Sequence, residues 1–390
     1  MPVILKPKRE KPVIQNHPWI FSGAIDEISG EPEDGDIIDV LDNKGTFLAR
    51  GYINRKSQII VRVMTRNADE IIDREFFAKR IRNAIDYRHK VLSLENYTAY
   101  RMVHDASDML PGLIVDKYGD YLVVQILTLG MDVRKDIIAE TLQDLLKPKG
   151  IYERSDSRIR LKEGLQQYKG ILRGQEPPDE VEIKQNGARF LVNFKEGQKT
   201  GKFLDQRENI QITGSYARER EILDCFCYTG SFTVWCGLKG AKKITGLDIS
   251  KNALATARRN IKINDIKDKC QLIQGDVFHV LETCRRKFDM IILDPPGFAK
   301  SKRAVKGAAR GYKYINMAAM KLLNPGGILV TFSCSHHVNL DLFRKIVFGA
   351  SVDAECNLRI IRTLQAAPDH PINISHPESE YLKGLICQIM

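Results

Sequence analysis

Apolar and polar positions keep a short rhythm at the start of this 390-residue chain. Over residues 1–70, apolar runs alternate with turn residues in DGDIIDVLDNKGTFLARGYI and SQIIVRVMT, with Gly35, Asn43-Lys44-Gly45 and Gly51 between the strands. That pattern predicts a small β-rich domain. Residues 73–92 change to helical spacing, carried by Phe76, Phe77, Ile81, Ile85 and Val91. Two strand-like runs follow, LPGLIVDKYG and DYLVVQILTLG, joined by a turn at Gly119-Asp120. A helix over roughly 132–146 stops at Lys147-Pro148, and the strand GIYERS comes next. This middle stretch reads as α+β. RGQEPPDEVEIKQNG reads as a linker, because Pro177-Pro178 and acidic residues break the periodicity.

From residue 186 strands and helices alternate. EILDCFC, KITGLDI, CQLIQGD, FDMIILDPP and GGILVTFSCS are strands with helical segments between them, and LRIIRTL and KGLICQIM close the set. Apolar strands in regular β–α alternation imply a parallel sheet covered on both faces. The predicted fold class is α/β, a Rossmann-like domain preceded by a small β-rich domain and a central α+β domain. Their expected bounds are 1–70, 71–185 and 186–390.

Charge adds a direction to this picture. The net charge is +11, and residues 181–390 alone hold 32 basic against 20 acidic side chains. A polyanion would be drawn to the C-terminal half. No run of about 18 apolar residues occurs, and the N-terminus lacks a secretory layout, so a cytoplasmic protein without a membrane partner is expected. All eight cysteines fall after residue 224. Neither a disulfide framework nor a zinc site is expected, since Cys225 and Cys227 form a CxC within a strand and no second ligand pair has the right spacing.

Ligands of open α/β sheets bind beyond the carboxyl ends of the strands, and those ends carry a series here. Asp224 closes the first strand, and DCFCYTGSF runs through Gly230 into a helix. A single glycine is not the GxGxxG that brings backbone against a pyrophosphate, which disfavours a nicotinamide cofactor. Asp248 ends the second strand, where it can accept from both ribose hydroxyls. Asp276 follows the third, where it can accept from an adenine amino group. Each could instead cap a helix. Taken in order, the three fit a nucleoside cofactor without a diphosphate, of which S-adenosylmethionine is the common one.

The fourth strand ends in LDPPGFAK. Asp294, held before two prolines on a rigid turn, can meet the polar edge of a nucleobase. The fifth ends in TFSCSHH, which places Cys334 at the same rim. Cytosine C5 is a poor nucleophile until a thiolate adds at C6, and a carboxyl at N3 stabilises the adduct. Cys334 and Asp294 are therefore the candidate catalytic pair. The segment between them, GFAKSKRAVKGAARGYKYIN, holds Lys300, Lys302, Arg303, Lys306, Arg310 and Lys313 without an acid, with Tyr312 and Tyr314 interleaved. Lys300, Lys302, Arg303, Arg310, Tyr312 and Lys313 are the candidate RNA contacts, through phosphates and stacking.

HPWIFSGAI, ARGYINRKSQIIVRVMT, LPGLIVDKYGDYLVVQ, KTGKFLDQRENI, LDCFCYTGSF, LDPPGFAKSK, RGYKYIN, FSCS and SEYLKGLICQIM together resemble the bacterial 23S ribosomal RNA cytosine-C5 methyltransferases, over nearly the whole chain. In that family a PUA domain precedes a class I methyltransferase domain. The resemblance implies S-adenosylmethionine as cofactor, Cys334 as nucleophile and Asp294 as its helper at the base. It places Asp224, Gly230, Asp248 and Asp276 around the cofactor, with Gln206 and Arg207 closing over it. It implies unassembled or partly assembled 23S ribosomal RNA as partner and leaves a homodimer open. Two departures stand out. Gly297 occupies a place often held by lysine, and no second cysteine follows DPP, so the base that releases Cys334 has no assigned residue.

Other readings compete. Guanine-N7 methyltransferases share the architecture without needing a cysteine. Amino-group methyltransferases put an aromatic residue where Gly297 stands. A non-catalytic RNA-binding or ribosome-assembly factor could keep the fold, and an NAD-dependent oxidoreductase lacks its glycines here.

Overall fold

The computed structural model of the chain describes residues 1–299 and 301–390. It separates into two compact units. One comprises Met1–Ile183, Val192–Leu204 and Pro368–Ser379; the other comprises Lys184–Leu191, Asp205–Ala367 and Glu380–Met390.

The first unit holds two sheets. The β-rich start forms a six-stranded sheet from Trp19–Phe21, Ile59–Thr65, Phe47–Ile53, Ile37–Leu41, Pro2–Leu5 and Ile25–Ile28, in that spatial order. Gly35 and Gly45 sit in turns at positive φ, as their spacing suggests. Gly51 does not. It lies within Phe47–Ile53, at a register shift, where a Cβ would fall 2.1 Å from the Arg62 carbonyl oxygen. Close backbone approach, rather than a turn, calls for glycine there. The α+β segment forms a five-stranded sheet in which Leu113–Tyr118 and Tyr121–Ile126 make the expected hairpin. Asp73 caps the helix Arg74–Val91 by accepting from the Phe76 amide at 3.0 Å. Within this unit Arg101 grips the fully buried Asp116 with both arms of its guanidinium, Nε to Oδ1 at 2.7 Å and Nη2 to Oδ2 at 2.9 Å. Thr200 donates to the same carboxylate at 2.5 Å.

The expected linker is partly a hairpin. Val181–Gln185 pairs with Ala188–Val192, and Asn186-Gly187 between them takes positive φ at both residues. That is the turn chemistry of a two-residue hairpin. Val181, Ile183 and Gln185 are buried, alternating with exposed Glu182 and Lys184, a period-two pattern the neighbouring prolines and acids obscured.

In the second unit we number the strands β1 (Glu221–Cys225), β2 (Lys243–Asp248), β3 (Cys270–Gln274), β4 (Phe288–Leu293), β5 (Leu323–Ser333), β6 (Leu358–Gln365) and β7 (Lys383–Ile389). The helices are α1 (Arg207–Gly214), α2 (Ser231–Leu238), α3 (Lys251–Ile263), α4 (Val277–Thr283), α5 (Val305–Leu322) and α6 (Leu340–Asp353). The sheet order is β3-β2-β1-β4-β5-β7-β6. The first five pair in parallel, and β7 runs antiparallel to both its neighbours. Strand order reverses between β1 and β4, so a crevice opens beyond their carboxyl ends. No helix among the described residues is long and apolar enough to cross a membrane.

Replacing Asp116 with alanine removes the carboxylate facing a buried guanidinium. Loss of one partner of such a pair costs about 3–5 kcal/mol. The urea midpoint of this unit should fall accordingly, while Asp116→Asn loses less.

Candidate functional site at the carboxyl ends of the central strands

The turn after β1 is built from unusual backbone. Phe226 (φ 61°), Tyr228 (φ 50°) and Gly230 (φ 79°) are all left-handed, and non-glycine residues held there mark a loop fixed by its surroundings. Gly230 combines that φ with tight packing, since a Cβ would lie 3.2 Å from Ala257 on α3. Asp224 is fully buried. Its Oδ2 accepts from Thr233 Oγ1 at 2.6 Å, whereas Oδ1 has no hydrogen-bond partner. Burial lifts its pKa to about 7. A buried carboxyl with one orphaned oxygen suits a donor from a bound molecule.

Asp248 closes β2 and accepts from the Tyr228 amide at 2.9 Å and the Ser250 amide at 2.8 Å, one on each oxygen. Each oxygen keeps a second lone pair, so two hydroxyls of a ligand can still be received. Ile249, the next residue, is 68% exposed. An aliphatic side chain left in water beside that carboxylate offers cover for a flat apolar face; the sequence reading passed over it because an isolated isoleucine has no motif. Asp276 is exposed and caps α4, accepting from the His279 amide at 3.2 Å. A capping carboxylate keeps lone pairs with which it can accept from a ligand.

Parallel pairing sets Leu293 of β4 opposite Thr331 of β5, which brings Asp294 and Cys334 to the same rim. Cys334 is partly exposed. Its Sγ lies 3.7 Å from the Pro295 carbonyl, and a Cβ on Gly297 would sit 3.5 Å from the sulfur. Gly297 therefore lies in van der Waals reach of the thiol. Gln206, expected over the cofactor, directs its amide to the acid: Nε2 donates to Asp294 Oδ1 at 3.0 Å. Asn209 Nδ2 donates to the Gln365 carbonyl at 2.9 Å and to Gln206 Oε1 at 2.7 Å. A main-chain carbonyl can only accept, so this chain fixes both amides and leaves the Gln206 nitrogen facing Asp294. Arg207 is buried at the start of α1.

The basic segment is more selective than its composition suggests. Lys302, Arg303, Lys306 and Arg310 are exposed. Lys313 pairs with Asp353 of α6 at 2.7 Å. Lys300 lies outside the described residues. Tyr312 corrects the expectation of a stacking surface: it is 0% exposed, and its hydroxyl meets Ser335 Oγ at 3.0 Å. Ser335 Oγ also accepts from the Ala299 amide at 3.1 Å. Helical period decides this, because Tyr312 falls on the buried stripe with Ala308, Ile315 and Ala319. Tyr314 is stacked on Phe278, with centroids 5.9 Å apart. Lys383, which carries no motif of its own, is buried and donates to the Ser335 carbonyl at 2.8 Å.

Comparison with known proteins follows the same lines. Residues 3–66 match the PUA-like domain family, and residues 166–376 match the S-adenosylmethionine-dependent methyltransferase family. A Tolumonas auensis protein named ribosomal RNA large subunit methyltransferase I is 46% identical, with 98% of each chain covered. A Pseudoalteromonas atlantica protein of the same name is 44% identical over 100% of this chain and 99% of its own. Among solved structures, a Streptococcus mutans chain described as an S-adenosylmethionine-dependent methyltransferase aligns over 100% of both chains at 22% identity, with a TM-score of 0.86. Another, described as a methyltransferase complexed with S-adenosylhomocysteine, reaches 0.87 at 22% identity over the same full coverage.

The raised pKa of Asp224 has a thermodynamic consequence. Between the ordinary aspartate value, about 3.9, and about 7, the folded state holds a proton the unfolded state has lost. Stability should therefore fall as pH rises across that window and level off above it. Asp224→Asn should flatten this decline, as read from urea midpoints between pH 4 and 8. An unchanged slope would place the proton elsewhere.

Proposed function

The chain belongs to the S-adenosylmethionine-dependent methyltransferases, and from that premise we propose that it methylates C5 of a cytosine in 23S ribosomal RNA through a covalent adduct on Cys334. The observation that carries this reading is the pairing of a partly exposed thiol with a carboxyl at adjacent strand ends, beside the crevice at the β1–β4 switch. The name borne by the full-length relatives, ribosomal RNA large subunit methyltransferase I, supplies the substrate class.

The cofactor residues fit their role. Asp224 Oδ1 can receive the ammonium of the amino-acid moiety, Asp248 the ribose hydroxyls, Ile249 the face of the adenine and Asp276 its amino group. Gly230 lets the loop backbone approach, and Arg207 opens α1 directly after Gln206. When bound, S-adenosylmethionine presents an electrophilic methyl. The chain's own residues prepare the acceptor. Cys334 thiolate adds to cytosine C6, and the electron pair displaced from the C5–C6 double bond makes C5 nucleophilic. Asp294, oriented by Gln206, meets the N3 and N4 edge and stabilises the charge that develops there. After methyl transfer, loss of the C5 proton returns the pair to the ring and breaks the C6–sulfur bond.

Residues 186–390 carry the transfer, 1–70 form the PUA-like RNA grip and 71–185 the central domain. The first 70 residues are almost charge-neutral, with 10 basic and 11 acidic side chains, so phosphate attraction falls mainly to Lys302, Arg303 and Arg310. The substrate is RNA not yet fully assembled into the subunit, met in the cytoplasm.

Cys334→Ala should reduce methylation of undermodified 23S RNA to the blank while leaving S-adenosylmethionine binding intact by calorimetry. Asp294→Asn should lower kcat by about 10²- to 10⁴-fold, the usual span for a positioned proton donor. Full turnover by the Cys334 variant would remove the cytosine reading and favour a base that needs no adduct, such as guanine N7.

Alanine at Lys302, Arg303 and Arg310 together should weaken RNA binding and flatten its salt dependence. Three lost phosphate contacts correspond to roughly two to three units in the slope of log K against log salt. Filter binding between 50 and 300 mM salt, about the usual working range, measures it.

A further inference from the structure

We infer that Lys383 is the built-in counter-ion of Cys334, a positioning residue that holds the sulfur as thiolate before any substrate arrives. Lys383 opens β7 and pairs in register with Ser333, one residue before the cysteine. Its side chain is 2% exposed. Nζ donates to the Ser335 carbonyl at 2.8 Å and to the Tyr381 carbonyl at 2.7 Å. It is thus fastened to the residue after the cysteine and paired opposite the residue before it.

The reason to assign a partner is the cost of the alternative. An ammonium taken out of water is expensive unless an opposite charge lies near. Two carbonyls satisfy two of its three N–H bonds but bring no formal charge. Among the described residues, no carboxylate oxygen lies within 4.0 Å of Nζ. Burial pulls the Lys383 pKa down to about 8, and the ionised forms of Cys334 and then Glu380 oppose that fall. The amine still carries its proton at neutral pH. Glu380 is exposed on the turn before β7, where water screens it. The sulfur at the rim is the remaining charge that can answer the ammonium.

Of the other groups near the thiol, the Pro295 carbonyl accepts from Sγ at 3.7 Å and carries no formal charge. Asp294 on the end of β4 is acidic. Tyr312 on α5 is neutral, since burial pushes its hydroxyl up and an ionised Cys334 adds to the rise. Tyr381 is a phenol, and His336, whose ring lies 5.4 Å from that of Tyr381, is exposed. A thiol beside a lysine ionises below the usual thiol range, and a sulfur held that way can add to C6 at neutral pH without a separate base.

This inference rests on the proposed role of Cys334, yet its test does not. In the full-length protein, the rate of iodoacetamide alkylation at Cys334 is followed against pH by peptide mass spectrometry, which separates it from the other seven cysteines. The wild-type profile should have its midpoint at least one unit below an ordinary thiol, about 8.5. Lys383→Gln should raise that midpoint by about a unit, slowing alkylation at pH 7 about tenfold, and Lys383→Arg should restore it. The acid limb of the methylation profile should move with it.

A wild-type midpoint at or above the ordinary value overturns the pairing without any variant, so a poorly folding glutamine variant leaves the question decidable. An unmoved midpoint in folded Lys383→Gln overturns it as well. Normal methylation by Cys334→Ala would sink the nucleophile while leaving the charge pair standing.

Discussion

Parallel pairing between β4 and β5, with Leu293 facing Thr331, is the constraint on which the site depends. It sets two strand ends at one level, so that an acid fixed by Pro295 and a sulfur fixed by Ser333 and Ser335 share a rim. Each is also held from behind. Tyr312 and Ala299 meet on Ser335, and Lys383 bonds the carbonyl of that residue. On the acid's side, the Gln365–Asn209–Gln206 chain aims a donor at Asp294. Neither candidate group sits on a loop free to choose its own position.

Antiparallel β7 is what makes the sulfur's side of this arrangement affordable. A lysine at the first position of a strand reaches the carboxyl end of β5 only if that strand runs antiparallel to it. A seventh strand running parallel to β5 would begin at the opposite edge of the sheet. The reversal of β7 thus places the beginning of one strand against the end of another, and brings Lys383 to the Ser335 carbonyl. The same geometry explains why the ammonium is dry: β7 is internal, between β5 and β6, and Gly384 beside Lys383 packs against the Phe332 ring.

Much of this was legible along the chain. The five parallel strands, the order of Asp224, Asp248 and Asp276 at their ends, and the rim pair Asp294 and Cys334 all follow from periodicity and from residues placed where strands stop. What escaped was set by tertiary contact. Gly51 looked like a turn because glycine is common there, but its reason is a carbonyl on the neighbouring strand. Tyr312 looked like a stacking residue because six cations surround it in sequence. Its place on the helix turns it inward, and only its exposed neighbours can face RNA. The hairpin at Asn186-Gly187 did carry a local signal, masked by the prolines upstream. Lys383 and Ile249 carried none, because a single lysine or isoleucine gains meaning only from what lies beside it.

The missing second cysteine then takes on a different weight. An enzyme that forms a C6 adduct must both ionise its thiol and release it, and these demands oppose each other. A strongly stabilised thiolate leaves readily, since the leaving group with the lower pKa departs faster. It also attacks less forcefully for the same reason. A counter-ion whose own pKa burial has lowered to about 8 is a moderate one, because part of its electrostatic benefit offsets its desolvation. Lys383 would therefore ease departure of the sulfur without disabling its attack. The proton at C5 still needs an acceptor, and expulsion of a good leaving group lowers the demand on whatever base removes it.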